Sequence, residues 1–197
     1  FQFSILGPNG LTELRNANQA RIRGVEADVS WAVTYNFTLT GAMAYYDAEL
    51  TENYCGETED DGTPVTDCGP EELQAPSGHQ LPITPEFKGN LIGRYNFDMG
   101  SLQSYVQGAL VYEAERTSDL RTLERDILGD LPSYTTFDAS FGFGKDNWTV
   151  DLFLNNAFDE RGQVSRFSQC REEVCGEQVY VVPIRPRMFG VRWTQTF

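Results

Sequence analysis

Long apolar runs are missing from this chain. No stretch of ~18 apolar residues occurs, so a membrane-crossing helix is not expected. Basic residues are scarce: 15 Lys and Arg face 29 Asp and Glu, a formal net charge of -14, which argues against nucleic acid as a partner. A lone histidine, His79, cannot complete a metal cluster, and the four cysteines form no CxxC zinc or redox pattern. Nothing calls for a cofactor. Neither an initiator Met nor a signal peptide opens the chain, which starts inside the strand-like FQFSIL and reads as a mature product or a fragment of something longer. A clean 3.6-residue period is also absent over any long stretch, which disfavours a helical bundle.

Aromatic residues (13%) and 18 glycines are what the chain has instead, and both fit strands. Segments 1–6, 20–33, 37–50, 87–97, 102–115, 134–144, 148–155 and 185–197 read as strands, nearly all with a period of two. In the second, Val25, Ala27, Val29, Trp31 and Val33 fall on one face, while Glu26 and Asp28 fall on the other. Lys88, Arg94, Asp138, Asp151 and Arg192 lie on the matching polar faces of later segments.

The connections alternate strictly between long and short. Turns at 34–36, 98–100 and 145–147 are short, whereas 51–86, 116–133 and 158–183 are long. The first connection, about 7–19, leaves open a further strand at Leu11 to Leu14. A soluble sandwich has short loops at both ends. A transmembrane β-barrel combines short periplasmic turns, long extracellular loops, an apolar outer band and aromatic girdles. Trp31, Phe37, Phe97, Phe143, Trp148 and Trp193 all lie near the short-turn end, where a girdle is expected. The polar face must then line a lumen, because Lys or Arg facing lipid at the bilayer midplane costs about 2–4 kcal/mol.

NANQARIRGVEADVSW, LPITPEFKGNLIGRYNF, LFLNNAFDERG and the closing PRMFGVRWTQTF, in this order, resemble the C-terminal barrel strands of TonB-dependent outer-membrane receptors. The resemblance implies an all-β fold: an antiparallel transmembrane β-barrel, of which residues 1–197 would be about the last eight of 22 strands. A plug domain, the earlier strands and a TonB-contacting region have no counterpart here, and the last strand would pair with a missing first one. The implied role is energised, TonB-dependent uptake across the outer membrane of a Gram-negative bacterium, with no enzymatic step. The ligand would be scarce and large: a siderophore, haem, cobalamin or an oligosaccharide. Long loops, including 52–83 and 158–183, would capture it and close over it. The plug would then be displaced through TonB. The terminal Phe197 resembles the aromatic signal read by the barrel-assembly machinery.

Two other readings remain open at this stage. The chain could be a complete eight-stranded barrel with a structural or adhesive role, which would require residues 1–6 to pair with 185–197. It could also be a receptor-like scaffold in a larger surface assembly.

Several residues carry specific expectations. Cys55 with Cys68, and Cys170 with Cys175, form two local pairs beside Gly, Glu and Asp, and read as loop disulfides formed in an oxidising compartment. Glu26, Asp28, Lys88, Arg94, Asp138, Asp151 and Arg192 would line the lumen, as a plug wall or a substrate path. Arg21 and Arg23 share the outward face near its extracellular end. They would meet outer-membrane lipid and lipopolysaccharide phosphate, or serve as ordinary interfacial charge. The acidic run 52–72 could attract a cation, but lacks regular ligand spacing and reads better as a solvated loop. Ser77 and His79 sit too close in a Pro- and Gly-flanked loop for a catalytic relay. The NFT and NWT sequons at Asn36 and Asn147 fall in expected periplasmic turns, where glycosylation is not expected.

Overall fold

The computed structural model describes residues 1–6, 11–59, 63–168 and 178–197. In chain order it contains β1 (Gln2–Leu6), β2 (Thr12–Asn16), β3 (Ala20–Ala32), β4 (Phe37–Leu50), β5 (Phe87–Met99), β6 (Leu102–Glu113), α1 (Thr122–Leu128), β7 (Tyr134–Lys145), β8 (Trp148–Asn155), β9 (Gln163–Phe167), β10 (Tyr180–Pro183) and β11 (Met188–Gln195). Seven of these strands form one antiparallel sheet, ordered β11-β8-β7-β6-β5-β4-β3.

Register converts alternation into two chemically distinct faces, because directly opposed residues point the same way. Val29, Gly41, Leu91, Leu110 and Phe137 form one row across β3 to β7. One residue along, Asp28, Ala42, Asn90, Val111 and Thr136 form a row on the other face. The apolar face is bare: Val25, Val191 and Trp193 are 66–68% exposed and Phe189 is 85% exposed. Water does not tolerate so continuous an apolar surface, since soluble monomers keep such patches to a few hundred Å². Lipid covers it in a barrel. At the short-turn end, Tyr95, Phe97, Phe141, Phe143 and Trp148 make a chain of ring contacts with centroids 5.7–6.4 Å apart. Phe97, Phe143 and Trp148 of the expected girdle belong to this chain of contacts.

The short turns have local causes. Thr34 Oγ1 accepts the amides of Asn36 (3.3 Å) and Phe37 (3.0 Å) in the first turn. Gly100 (φ 65°) and Asp146 (φ 52°) supply the left-handed residues of the other two.

Residues 1–6 do not join this wall. β1 pairs with β2 instead, in a separate hairpin with Gln2 opposite Asn16. The reason is burial: Phe3 is 8% exposed and meets Tyr54 edge-on, with centroids 5.2 Å apart. The pairing of 1–6 with 185–197 that a closed eight-stranded barrel requires is therefore not made. Among the described residues, β3 and β11 each leave one edge without a strand.

The hydrophobic core lies beyond the long-loop end of the wall. Leu50, Leu81, Leu120 and Leu131 are at most 1% exposed, and Phe3, Ala17, Ala48, Tyr54 and Ala75 pack with the first three. Ala48 and Leu50 sit on the same face of β4 as Ala44, the partner of Glu26. The cap thus grows from the polar side of the wall. Backbone bonds tie its loops together: Ile83 N–H to Thr117 O (2.9 Å), Thr122 N–H to Gln74 O (2.8 Å), and Leu81 N–H to Ala48 O (2.9 Å). Cys55 and Cys68 form the expected disulfide, with Cα atoms 6.1 Å apart. Cys170 and Cys175 lie outside the described residues, as do Asp60 and Asp61 of the acidic run.

Candidate functional site: the polar wall and its cap

Three times on the polar wall a tyrosine, a carboxylate and a cation come together. Tyr46 on β4 donates its hydroxyl to Glu26, and Lys88 Nζ stands 5.6 Å from its ring centre. Tyr105 on β6 donates to Asp151 (2.7 Å), and the Arg94 guanidinium lies 3.5 Å from its ring centre. Tyr134 on β7 donates to Glu113 (2.6 Å), with Arg116 at 5.7 Å. The cation is drawn to the ring face, while the hydroxyl satisfies a carboxylate.

Glycine makes room for these rings. A Cβ on Gly142, opposite Tyr105, would sit 2.6 Å from both Tyr105 Cζ and Asp151 Oδ1. One on Gly24 would sit 2.6 Å from Tyr46 Cδ1. The absent side chains let both tyrosines lie flat against the wall.

Arg116 ends the series at the rim. Its side chain is 1% exposed, ion-paired with Glu113 and bonded to the Gln163 carbonyl at the start of β9. Arg166 joins the same region, donating to Leu128 O (2.8 Å) and Gln163 Oε1 (2.7 Å). Wall, helix loop and β9–β10 hairpin are therefore one connected structure. Burial raises the Tyr54 hydroxyl within the cap and the Glu124 carboxyl on α1, the latter partly offset by Arg121.

The expected lumen residues divide by environment. Glu26, Lys88, Arg94 and Asp151 enter the clusters above. Asp138 accepts the Asn156 amide (2.7 Å), a structural task at the top of β8. Arg192 stands opposite Asp151 in register, yet no carboxylate lies within ion-pair distance of it among the described residues. Asp28 lies on the polar face of the sheet, opposite Ala42 in register. On the outward face, Arg21 is ion-paired with Glu49, its register partner, and Arg23 stands opposite Asp47. Phe197 is fully exposed just beyond β11, where Asn147 Nδ2 holds Thr196 O at 3.0 Å.

His79 Nδ1 lies 3.1 Å from Leu120 O, and the Ser77 amide donates to Asn53 Oδ1 (2.9 Å). Both residues build the cap. Sequence reasoning passed over Tyr46, Tyr105, Tyr134, Glu113 and Arg116. Parity alone places the first four on the polar face, but their clustering depends on which strands are neighbours.

The family described as "TonB dependent receptor-like, beta-barrel" matches residues 1–157. The metal-pseudopaline receptor CntO of Pseudomonas aeruginosa, in strains UCBPP-PA14 and PAO1, is 29% identical over 185 residues, covering 93% of this chain. The chain spans 22% of the length of these curated relatives. Among solved structures, the ferric yersiniabactin uptake receptor FyuA from Yersinia pestis superposes with a TM-score of 0.70 at 16% identity, over 94% of this chain and 25% of that one. The siderophore receptor PiuA from Acinetobacter baumannii gives 0.62 at 19% identity, over 91% and 22%. At these identities the two structures speak to the fold alone.

Proposed function

This chain belongs to the TonB-dependent receptor-like β-barrel family, and on that premise we propose that it supplies barrel wall and extracellular loops to a receptor in the outer membrane of a Gram-negative bacterium. Such a receptor takes up a metal chelate of the siderophore class by TonB-dependent transport. The carrying observation is the two-faced sheet: bare apolar residues on one face, charged and polar residues on the other, and a packed cap on the long-loop end. The metal-pseudopaline receptor among the relatives favours a metal chelate over haem, cobalamin or an oligosaccharide.

In this reading residues 1–197 are barrel segment, and 52–83 and 158–183 are extracellular. The open edges of β3 and β11 pair with further strands of the same polypeptide, because an unpaired edge is not tolerated in hydrocarbon. A plug domain fills the lumen against Glu26, Asp28, Lys88, Arg94, Asp138, Asp151 and Arg192, and TonB acts through a region outside this chain. Arg21 and Arg23 meet lipid headgroups or lipopolysaccharide at the rim. Phe197 is read by the barrel-assembly machinery.

The direct test is uptake of radioactive iron, nickel and zinc, supplied as metallophore chelates, by cells with and without the gene and with and without TonB. Accumulation should need both. Accumulation that persists without TonB would sink the proposal.

A further inference from the structure

Half of the arginines among the described residues are neutralised by a carboxylate, and Arg94 is not. Arg15, Arg21, Arg116, Arg121, Arg125 and Arg161 each have a carboxylate within ion-pair distance. Arg94, in a chain of net charge -14, has none among the described residues. It is nevertheless held in place. Its Nε donates to Asn96 Oδ1 (3.2 Å), its Nη1 reaches Gln107 Oε1 (3.4 Å), and its guanidinium stacks on Tyr105 at 3.5 Å. Tyr105 is fixed in turn by Asp151 and by the space above Gly142. Two neutral amides and a ring therefore orient a full positive charge and leave part of its donor fork unused.

That guanidinium opens into a broad concavity on the polar face near the short-turn end, whose other charged lining residues are Asp98, Lys145, Asp146 and Asp151. Three acids, Asp98, Asp146 and Asp151, against Arg94 and Lys145 keep the concavity from being a general anion trap. Selectivity must come from the shape of the fork, which suits a planar carboxylate held by two parallel hydrogen bonds. Orientation before binding lowers the ordering cost of such a contact.

We propose that Arg94, stacked on Tyr105, is a carboxylate-binding site in the lower lumen. The carboxylate can be carried by a small molecule passing through the barrel or by a lumen-filling segment of the same polypeptide. The proposal rests on the lumen reading of this face, which is checked separately. A fluorophore on Val191→Cys should be quenched by nitroxide lipids, and one on Thr149→Cys should not.

The site itself is tested in the natural full-length polypeptide in purified outer membranes, with heat-modifiable gel migration as the control for folding. The variants are Arg94→Gln, Arg94→Lys and Tyr105→Leu. If the carboxylate arrives on a small molecule, calorimetry shows citrate binding to the parent protein, weakened about tenfold or more by Arg94→Gln. Arg94→Lys and Tyr105→Leu should fall between. If it belongs to the polypeptide, citrate does not bind. Arg94→Gln then lowers the urea concentration at which the lumen segment becomes protease-sensitive, with barrel migration unchanged. Either result supports the site. Unchanged citrate binding and unchanged segment retention in Arg94→Gln would overturn it. So would full function in Arg94→Lys, because charge alone would then suffice.

Discussion

At the scale of single residues, this wall is organised by what its glycines leave out. Gly142 admits the Tyr105 ring and the Asp151 carboxylate to the same space. Gly142→Ala should therefore lower stability by about 1–3 kcal/mol, the usual cost of overpacking, measured as a lower unfolding temperature of the barrel. Asp159, in the connection after β8, makes a second specific prediction. The Arg187 amide (3.0 Å), aided by Arg161 (2.8 Å), holds its carboxyl below the ordinary value of 3.8. A carboxyl depressed on folding stabilises above its unfolded pKa, and that contribution disappears as pH falls through the lower folded value. Asp159→Asn should thus weaken the anchoring of residues 184–187 at neutral pH. The gap between variant and parent should close in acid well below pH 3.8. Proteolysis of this segment across a pH series is the check, and a gap that stayed open in acid would refute the role of Asp159.

Elements show a division of labour between wall and cap. The strands bury few large side chains, because one face meets lipid and the other the lumen, whereas the loops between them bury Leu81, Leu120 and Leu131 almost completely. The cap is consequently not a set of loose loops. Leu120→Ala should cost the cap about 2–5 kcal/mol, as other large-to-small core changes do. Hydrogen exchange should accelerate at the amides of Leu81, Ile83 and Thr122 and stay unchanged in β5 and β6. Equal acceleration in the strands would mean that cap and wall unfold as one. Much of the loop 52–83 is packed, tied to Thr117 and Leu120 by Ile83 and His79. Ile83 even adopts φ 57°, a conformation costly for a β-branched residue. No functional reason for it is visible in its contacts.

For the whole molecule, orientation in the bilayer is the property that everything else depends on. Val191 lies on the bare face opposite Leu152, and Thr194 lies on the polar face opposite Thr149. Val191→Arg should destabilise the assembled barrel by about 2–4 kcal/mol, the cost of a midplane cation in lipid. Thr194→Arg should be nearly neutral. Similar costs for the two, measured by unfolding in urea, would refute the facing. Deleting Phe197 should reduce the amount of barrel assembled in the membrane and leave the ligand affinity of the assembled fraction unchanged. An undiminished assembled level would remove its role as an assembly signal.

Strand alternation, the long and short connections and the Cys55–Cys68 pairing were all legible in the linear chain, because each depends on neighbours within about a dozen residues. Period two assigns a face to Val29 or Asp28 before any partner is known. The hairpin of β1 with β2 was only half legible: Leu11 to Leu14 hinted at a strand, but its pairing was settled by Phe3 reaching Tyr54, about fifty positions away. The same holds for Arg94 and Asp151, which approach one Tyr105 ring from β5 and β8. It holds as well for Arg116, which joins Glu113 to Gln163. Contacts of this range follow from strand order and loop packing, and composition and periodicity carry no record of either.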